Sequence, residues 1–425
     1  MWKPLWTPAA NTGGCRNRWP RFSRRHIPQS REAHVMDVNQ RKQLLEQEFY
    51  RRFGCSPVLW VQAPGRVDLM GSHTDYNQGY VLTMAIDRTT WLAARPRDDR
   101  QVVIYSLNLE GGGPFSLDRI TPDTQSPWTN YIRGVAAVFA AAGYPLRGFD
   151  GLIHSTIPFG SGLSSSAAVE VAAAQVFTLL NGGLDIPPVQ MARLCQQAEN
   201  EFVGVNSGIL DQYSSLMGRE GHALLLDCRH LTHQTIPLPE GVQVVICDTR
   251  AKRELTGSEY GERRAQCEAG AAQLGVSALR DLPVETFYRR EAELPDILAR
   301  RCRFIVEENQ RVLDLADAFT RGDLAAIDRL TAASFIGARH LYQIVSPEME
   351  AMMQAMRTGP GVIGARQAGA GFGGCMVAFV HRDATADFAA HVQSVYHRAT
   401  GVMPGVYPAQ AAAGAGRLVL EAENV

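Results

Sequence analysis

The order of the predicted helices and strands indicates an α+β protein rather than a doubly wound parallel sheet. In the first half of the chain, short apolar strand-like segments and helical segments mix without a strict strand–helix alternation. The second half shows mostly the helical spacing of apolar residues, with few strand-like segments between. A chain of 425 residues is also long enough for two or three domains, each with a sizeable core.

Each element of the first half follows from a local pattern. Apolar residues at helical spacing predict a helix over residues 37–53, and Gly54 closes it. Further helices are predicted after Pro127, over residues 165–180 and after Pro188. Apolar runs between these helices predict strands at residues 58–61, 89–95, 102–107 and 151–156.

The second half begins with two strands and is otherwise mainly helical. Apolar runs predict strands at residues 222–227 and 242–247, and a strand–loop–strand unit over 362–379. Helical spacing predicts the helices at residues 258–274, 301–321, 324–334, 347–356 and 384–397.

Residues 1–35 differ from the rest of the chain. They are rich in arginine and contain no acidic residue before Glu32, a composition also seen in transit peptides. Because serine is scarce and no helical apolar face is present, we favour a disordered extension, or an upstream start with Met36 as the working start. We therefore expect an N-terminal domain at residues 36–228 and a C-terminal domain at 229–425.

The composition excludes several classes of function. Charged residues make up 20% of the chain and the formal net charge is -1, so no overall field favours nucleic acid or an anionic membrane. No apolar run is long enough to span a bilayer. The eight cysteines are scattered without metal-ligand spacing, as expected for reduced thiols. We therefore expect a cytoplasmic protein that binds neither nucleic acid nor membrane.

A glycine–serine loop just before the predicted helix at residues 165–180 is the strongest chemical signal. Glycine lets a backbone turn tightly against a ligand, and the hydroxyl residues that follow lie at a helix N-terminus, where free N–H groups favour an anion. The pattern predicts a phosphate-binding loop, although a turn with an N-cap remains an alternative. The loop runs Gly160-Ser161-Gly162-Leu163-Ser164-Ser165-Ser166-Ala167-Ala168.

Other nucleotide-binding and hydrolase motifs do not apply. The chain contains no G-x-x-x-x-G-K-[ST], so the loop is not a Walker-type site. Residues 369–374 satisfy G-x-G-x-x-G, but a strand follows them instead of the helix that a dinucleotide fingerprint needs. Ser166 replaces the second glycine of G-x-S-x-G, which excludes a hydrolase nucleophile elbow.

Two further segments carry polar groups suited to chemistry. Residues 65–79 form a polar, turn-forming segment between two apolar strands, and Arg66, His73 and Asp75 offer donors and acceptors for a polyhydroxylated ligand. The alternative is a surface loop with solvated charges. Glu199 and Asp211 flank a glycine-containing turn, where one carboxylate would hold a metal and the other would face a substrate hydroxyl. Solvation of the first and N-capping by the second remain the alternative.

These segments, in this order and with these gaps, resemble the signature segments of the GHMP kinase superfamily, and most closely those of its galactokinase family. Residues 65–82 are similar to that family's N-terminal signature, 158–168 to the shared ATP loop, and 369–375 to the C-terminal glycine-rich motif. The resemblance runs from about Met36 onward. It implies a two-lobed α+β fold with the active site in the cleft between the lobes.

The resemblance also implies ATP-dependent phosphorylation of a monosaccharide, expected to be galactose, at its anomeric hydroxyl, by a protein expected to be a monomer. Asp211 would orient and deprotonate the sugar O1 hydroxyl, and Arg66 would stabilise charge on the transferred phosphoryl group. Ser166 and Glu199 would hold the cofactor Mg²⁺. The sugar would contact Ser72, His73, Asp75, Gly208 and Tyr260. ATP would contact Gly160, Gly162, Leu163, Ser164, Ser165, Ser166, Ala167 and Trp128.

Two departures from the family pattern leave the sugar open. The family usually has glutamate where this chain has Ser72, and asparagine where it has Asp68. That glutamate typically accepts a hydrogen bond from the sugar's C6 hydroxyl, so galacturonate and L-arabinose are alternative substrates. The segment at residues 334–342 also departs, and there Arg339 or His340 is a candidate contact for an anionic substrate.

A function of another class is a regulator that senses galactose and ATP without turnover. The resemblance implies that in such regulators the serine-rich loop is altered. Here Ser164-Ser165-Ser166-Ala167-Ala168 is whole, and both Asp211 and Arg66 are present, which favours catalysis.

Overall fold

The computed structural model of the chain describes residues 36–205, 207–251 and 257–419, so the basic extension predicted at residues 1–35 lies outside the described residues. Within these ranges the protein combines eleven α-helices with two largely antiparallel sheets, which confirms the α+β prediction. No helix in these ranges has both the length and the apolar composition needed to cross a bilayer.

The helices that the sequence predicts lie close to the predicted positions, whereas the helices at Leu210–Met217 and Val284–Arg290 were not predicted. Asp37 caps the first helix by accepting a hydrogen bond from the Gln40 amide, and Gly54 ends it in the left-handed conformation. The α-helices are α1 (Val38–Phe53), α2 (Asn130–Ala141), α3 (Ser165–Leu180), α4 (Pro188–Gln197), α5 (Leu210–Met217), α6 (Gly257–Gln273), α7 (Val284–Arg290), α8 (Asp296–Arg321), α9 (Leu324–Gly337), α10 (Pro347–Arg357) and α11 (Thr385–Thr400).

The strands predicted at residues 58–61 and 89–95 are much longer than expected, and the sequence did not predict the strands at Gly112–Ser116, Thr232–Pro237, Gly405–Ala409 and Gly416–Arg417. They are β1 (Leu59–Met70), β2 (Tyr80–Pro96), β3 (Gln101–Ser106), β4 (Gly112–Ser116), β5 (Phe149–Ser155), β6 (His222–Asp227), β7 (Thr232–Pro237), β8 (Val242–Asp248), β9 (Val362–Gln367), β10 (Cys375–His381), β11 (Gly405–Ala409) and β12 (Gly416–Arg417).

Two sheets organise the described part of the chain. The larger sheet has the order β12-β1-β2-β5-β3-β4, with β6 paired to β2 and β7 paired to β6. Among the described strands of this sheet, only β3 and β5 pair in parallel. The smaller sheet has the order β11-β8-β10-β9 and is antiparallel throughout. The domain boundary at residue 228 stays a prediction. Strand β7 follows that residue and still pairs with β6 in the larger sheet.

The helices cover the sheets and bring the two halves of the chain together. Helices α3 and α5 pack on β1 and β2, whereas α9 and α10 pack on β9. The long helix α8 contacts β1 and β2 of the larger sheet as well as α6 and α9. Side chains from the end of β1, from α8 and from β9 can therefore meet in one buried region.

One sequence prediction is wrong in its extent. The whole of residues 65–79 was expected to be a polar turn, but β1 continues to Met70 and the turn is confined to residues 71–79. Residues 63–70 are all buried, so Arg66 and Asp68 are enclosed strand residues rather than loop residues. Their charges are balanced inside the protein, which a pattern of polar residue types does not reveal.

Candidate active site

The phosphate loop turns sharply and leads into helix α3. Gly160 and Gly162 have positive φ angles of 71° and 83°, and Ser164 adopts φ 60° directly before the helix. The first hydrogen bond of the helix runs from the Ala168 amide to the Ser164 carbonyl. The three preceding amides thus point out of the N-terminus of α3, where the helix dipole favours an anion.

Strand β1 lies directly against this loop. A Cβ atom at Gly65 would stand 2.6 Å from the Leu163 carbonyl oxygen, so only glycine permits this approach. The next residue, Arg66, donates its backbone N–H to the same carbonyl at 3.1 Å and its Nη1 to the Gly162 carbonyl at 2.6 Å. The loop is therefore held by strand β1.

Asp211 lies in the first turn of α5 with both carboxylate oxygens engaged. Its Oδ1 pairs with Arg66 Nη2 at 2.6 Å, and its Oδ2 accepts a hydrogen bond from Ser164 Oγ at 2.5 Å. The Nε of Arg66 is buried and has no partner among the described residues. The structure thus brings together the two predicted catalytic residues at the edge of the phosphate loop, and the Ser164 side chain faces Asp211.

A carboxyl group and an aromatic ring adjoin Asp211. A Cβ at Gly208 would stand only 1.9 Å from Asp75 Oδ2, so the absence of a side chain there leaves room for the Asp75 carboxyl. Burial raises the pKa of Asp75 to about 6, with the charges of Asp211 and Asp68 adding to the effect. Burial likewise raises the pKa of Tyr260 well above its ordinary value, and the charges of Asp75 and Asp211 add to the effect. The predicted sugar-binding residues Asp75, Gly208 and Tyr260 therefore lie together.

His73 belongs to this cluster, but both of its ring nitrogens have protein partners. Nδ1 lies 2.9 Å from Tyr76 Oη, and Nε2 lies 2.9 Å from the Ala370 carbonyl oxygen. Because burial lowers the pKa of His73 to about 4, the ring is neutral near pH 7. Nε2 must then donate to the carbonyl, and Nδ1 accepts from Tyr76. His73 thus fastens the 71–79 turn to the C-terminal glycine-rich motif.

Ser72 is only 2% exposed and sits in a buried cluster of charges. Its Oγ donates to Asp68 Oδ2 at 2.9 Å and accepts from Arg366 Nη2 at 3.0 Å. The same Nη2 lies 2.9 Å from Glu308 Oε1, and Arg311 Nε donates to Glu308 Oε2 at 2.8 Å. The hydroxyl of Ser72 is therefore already occupied in a network that joins β1, α8 and β9.

The charges in this network balance one another. Burial raises the pKa of Asp68, which Arg366 and Ser72 oppose. Burial would also raise the pKa of Glu308, but Arg311 and Arg366 outweigh it and hold that pKa below its ordinary value. At the rim, the half-buried Glu307 adds a contact of 3.1 Å to Arg311. Asp68 Oδ2 also accepts from the Gly369 amide at 3.3 Å, which links the network to the C-terminal glycine-rich motif.

Ser166 and Glu199 form an oxygen-donor pair beside the phosphate loop. Glu199 is buried, and its carboxylate accepts hydrogen bonds from Ser166, Ser207 and Gln212. Burial raises the pKa of Glu199 against the effect of these donors. A hydroxyl and a carboxylate suit Mg²⁺, a hard cation that keeps several ligands from water and substrate phosphates. In the described ranges, no three His, Cys, Asp or Glu side chains form a metal-binding group.

Sequence reasoning missed two buried residues behind Glu199. Gln212 follows Asp211 directly, and Glu170 lies one helical turn beyond Ser166 on α3; both are completely buried. Burial, and then the nearby charge of Glu199, raises the pKa of Glu170 well above its ordinary value. A single acidic residue in an otherwise apolar, alanine-rich helix was the available signal, because such a residue is rarely buried without a role.

The remaining predicted contacts lie elsewhere. The Trp128 indole N–H donates to the Glu110 carbonyl at 3.1 Å, and no described contact tests its place in an adenine pocket. Arg339 forms an exposed ion pair with Glu350 at 2.6 Å, and His340 is also exposed. Neither Arg339 nor His340 joins the buried cluster around Asp75.

A cavity of about 330 Å³ lies beside the phosphate loop. The loop side of its wall consists of Pro158, Phe159 and Gly160, and Asp248 and Tyr407 of the smaller sheet are among the residues opposite. The open space at the start of the phosphate loop is therefore bounded by both halves of the chain.

Comparison with protein families identifies three matching regions. Residues 47–96 match the galactokinase galactose-binding signature, residues 130–219 match the GHMP kinase N-terminal domain, and residues 315–397 match the GHMP kinase C-terminal model. These regions contain the phosphate loop, Arg66, Asp75, Glu199 and Asp211, whereas Tyr260 on α6 and the part of α8 that carries Glu308 and Arg311 lie outside them.

Individual proteins support the same relationship. The chain is 43% identical over 380 residues to a galactokinase of a Roseiflexus species, covering 88% of this chain and 97% of that protein. It is 44% identical over 358 residues to a galactokinase of Chloroflexus aggregans, covering 83% of this chain and 92% of that protein. A crystal structure of Lactococcus lactis galactokinase complexed with galactose superposes with a TM-score of 0.85 at 34% identity, covering 89% of this chain and all of that one. The Methanococcus jannaschii mevalonate kinase, at 16% identity and a TM-score of 0.62 over 84% of this chain and 99% of that one, shares the fold.

Proposed function

The chain belongs to the galactokinase family of the GHMP kinases, and from this membership we propose that it transfers the γ-phosphoryl group of ATP to the anomeric hydroxyl of galactose. The products are galactose 1-phosphate and ADP. The observation that carries the proposal is the position of the Asp211 carboxylate, held by Arg66 and Ser164 at the edge of a phosphate-binding loop.

Asp211 acts on the sugar hydroxyl. Its two oxygens each keep a lone pair beyond the contacts to Arg66 Nη2 and Ser164 Oγ, so one can accept the proton of O1. As that proton passes to Asp211, the bond from O1 to the γ-phosphorus forms. The bond from the γ-phosphorus to the bridging oxygen breaks, and ADP leaves with its electron pair.

Arg66 and the loop amides supply positive charge where phosphoryl transfer needs it. The unpartnered Nε of Arg66 is a donor for a phosphoryl oxygen, and its guanidinium is already held by Asp211 and the Gly162 carbonyl. The amides of residues 165–167 at the start of α3 bind phosphate oxygens. Ser166 and Glu199 would hold Mg²⁺, which neutralises charge on the β- and γ-phosphates when bound.

The acceptor sugar is held by Asp75, Gly208 and Tyr260. The Asp75 carboxyl accepts hydrogen bonds from vicinal hydroxyls, and Tyr260 covers one face of the sugar. His73 supports the sugar-binding residues indirectly, because its ring is hydrogen-bonded to Tyr76 and to the Ala370 carbonyl. Ser72 presents a hydroxyl already bonded on two sides, so it offers the C6 position one remaining acceptor lone pair.

The proposal is tested by ADP release from purified protein with Mg²⁺ and ATP against galactose, galacturonate, L-arabinose, galactosamine and mevalonate. We expect galactose to give the highest kcat/KM. Turnover only with galacturonate or L-arabinose would overturn the substrate assignment while leaving the kinase assignment intact. Galactose-dependent thermal stabilisation without turnover of any sugar would instead support a sensing regulator.

A further inference from the structure

A buried amide bridge connects the predicted metal-binding carboxylate to helix α3. The Nε2 of Gln212 lies 2.9 Å from Glu170 Oε2 and 2.9 Å from Glu199 Oε2. Both hydrogens of this amide nitrogen are therefore directed at carboxyl oxygens on two different elements. Because Gln212 is itself the neighbour of Asp211, the bridge ties together α3, the π-helical segment Ala198–Val203 that carries Glu199, and α5.

The bridge is enclosed, and its two side chains have few alternative hydrogen-bond partners. Glu170 and Gln212 are 0% exposed, so neither side chain can exchange its partner for bulk water. None of the described residues forms an ion pair with Glu170, and its Oε1 and the Gln212 Oε1 have no protein partner. A polar pair of this kind costs stability unless its hydrogen bonds are kept, which fixes the plane of the Gln212 amide.

The orientation of Glu199 depends on this bridge. Its Oε2 accepts from Gln212 and from Ser207, and its carboxylate also accepts from Ser166, the other predicted metal ligand. Without Gln212, Ser207 alone would hold Oε2, and Ser207 lies on a turn rather than a helix. Groups that orient a ligand in this way are known to change metal affinity by about 10- to 100-fold when removed.

We propose that Glu170 and Gln212 are positioning residues that aim the Glu199 carboxylate at the magnesium ion of the nucleotide complex. The inference rests on the proposed function, because it assigns the metal to Glu199 and Ser166. Neither residue touches nucleotide or sugar; Glu170 acts through Gln212, and Gln212 acts through Glu199.

The test compares variants that keep or break the bridge at nearly constant volume. Glu170→Gln keeps an acceptor oxygen for the Gln212 amide without adding charge, whereas Glu170→Met removes it; Gln212→Met removes both donors. Thr178→Val serves as the matched control, because Thr178 is a buried polar residue of α3 whose hydroxyl bonds only to its own helix at Ala174.

The primary measurement is Mn²⁺ binding to the protein–ADP complex, followed by electron paramagnetic resonance, with ADP binding in EDTA as the metal-free reference. We expect Glu170→Met and Gln212→Met each to weaken Mn²⁺ binding by about 10-fold. Glu170→Gln and Thr178→Val should stay within about twofold. The two Met substitutions combined should cost little more than either one, because both break the same bridge.

Kinetic constants provide the second readout. The Mg²⁺ concentration for half-maximal rate should rise with the loss of Mn²⁺ affinity, while KM for galactose is unchanged. A folded Gln212→Met protein with unaltered Mn²⁺ affinity would overturn the inference, as would an equal loss in Thr178→Val; if Glu170→Met fails to fold, Gln212→Met decides alone. Failure of the proposed function would look different, since the unaltered chain would then release no ADP.

Discussion

Moving the negative charge from position 68 to position 72 is the sharpest test of the buried network. The perturbation is a pair of substitutions, Asp68→Asn and Ser72→Glu, made singly and together. In the protein, Asp68 and Glu308 face the guanidinium groups of Arg366 and Arg311, and these four buried charges balance. Each single substitution unbalances them by one charge in opposite directions, and the double substitution restores the balance.

The size of the effect follows from the burial of the partners. Arg366 is 0% exposed and Asp68 is 1% exposed, so water cannot take over from a lost counter-charge. Removing one partner of a buried ion pair costs about 3–5 kcal/mol. With an unfolding entropy of about 2.1 cal/mol/K per residue, that cost lowers the Tm of a 425-residue chain by roughly 3–6 °C. We expect the double variant to recover most of this loss.

The assay is thermal unfolding of the unaltered protein and the three variants at one scan rate, near pH 7. Gln367→Met is the matched control, because Gln367 follows Arg366 on β9, is 0% exposed, and has no partner among the described residues for either amide atom. Replacing that amide by an apolar side chain of similar size should keep or raise Tm. A Tm effect confined to the charged positions would therefore reflect charge and not the disturbance of packing.

Additive Tm changes in the double variant would refute the reasoning, because they would mean that positions 68 and 72 do not share Arg366. A Tm unchanged by Asp68→Asn alone would also refute it, since Asp68 would then carry no charge in the folded protein.

Three further predictions concern the reacting groups. Asp211→Asn should lower kcat by about 10²- to 10⁴-fold with little change in galactose affinity measured by calorimetry, and full activity would remove Asp211 from its role. Ser164→Ala and Ser164→Gly should each lower kcat by about 10-fold, because both lose the hydrogen bond to Asp211. Ser164→Gly should have a higher Tm than Ser164→Ala, because glycine accepts φ 60° without strain. A fully active glycine variant would contradict the role of the hydrogen bond. The pKa of Asp75, raised to about 6 by burial, means that its proton stabilises the folded state at low pH and that this contribution is lost as pH rises through 6. Urea unfolding should therefore find Asp75→Asn more stable than the unaltered protein by up to about 3 kcal/mol above pH 6, with a difference that shrinks toward pH 4; a constant difference would refute the shift.

Much of the fold could be predicted because it depends on local signals. Helix α3 begins and ends where the spacing of alanines and valines places it, and Gly54 ends α1 as its position predicts. The large sheet was harder, because β1 contains Pro64, Gly65, Arg66 and Asp68, which are typical of turns. Arg66 and Asp68 are buried against partners roughly 100 to 300 residues away in the sequence, such as Gly162 and Gly369, and no local pattern contains that information.

The candidate site divides in the same way. Asp211, Arg66 and the phosphate loop could be predicted from their motifs, and the structure brings them within hydrogen-bonding distance. The positions of Ser72 and His73 in a motif did not indicate that their side chains are bonded to Arg366 and Ala370. Those contacts arise only where the two halves of the chain pack together.

The central claim is that the phosphoryl group is transferred to the anomeric oxygen of galactose. Phosphorus NMR of the product made from ATP and galactose labelled with ¹³C at C1 tests it most directly. We expect one new phosphomonoester resonance, split by coupling to the labelled carbon. An unsplit phosphomonoester resonance would place the phosphate on another hydroxyl, and the absence of any sugar phosphate would contradict the kinase assignment.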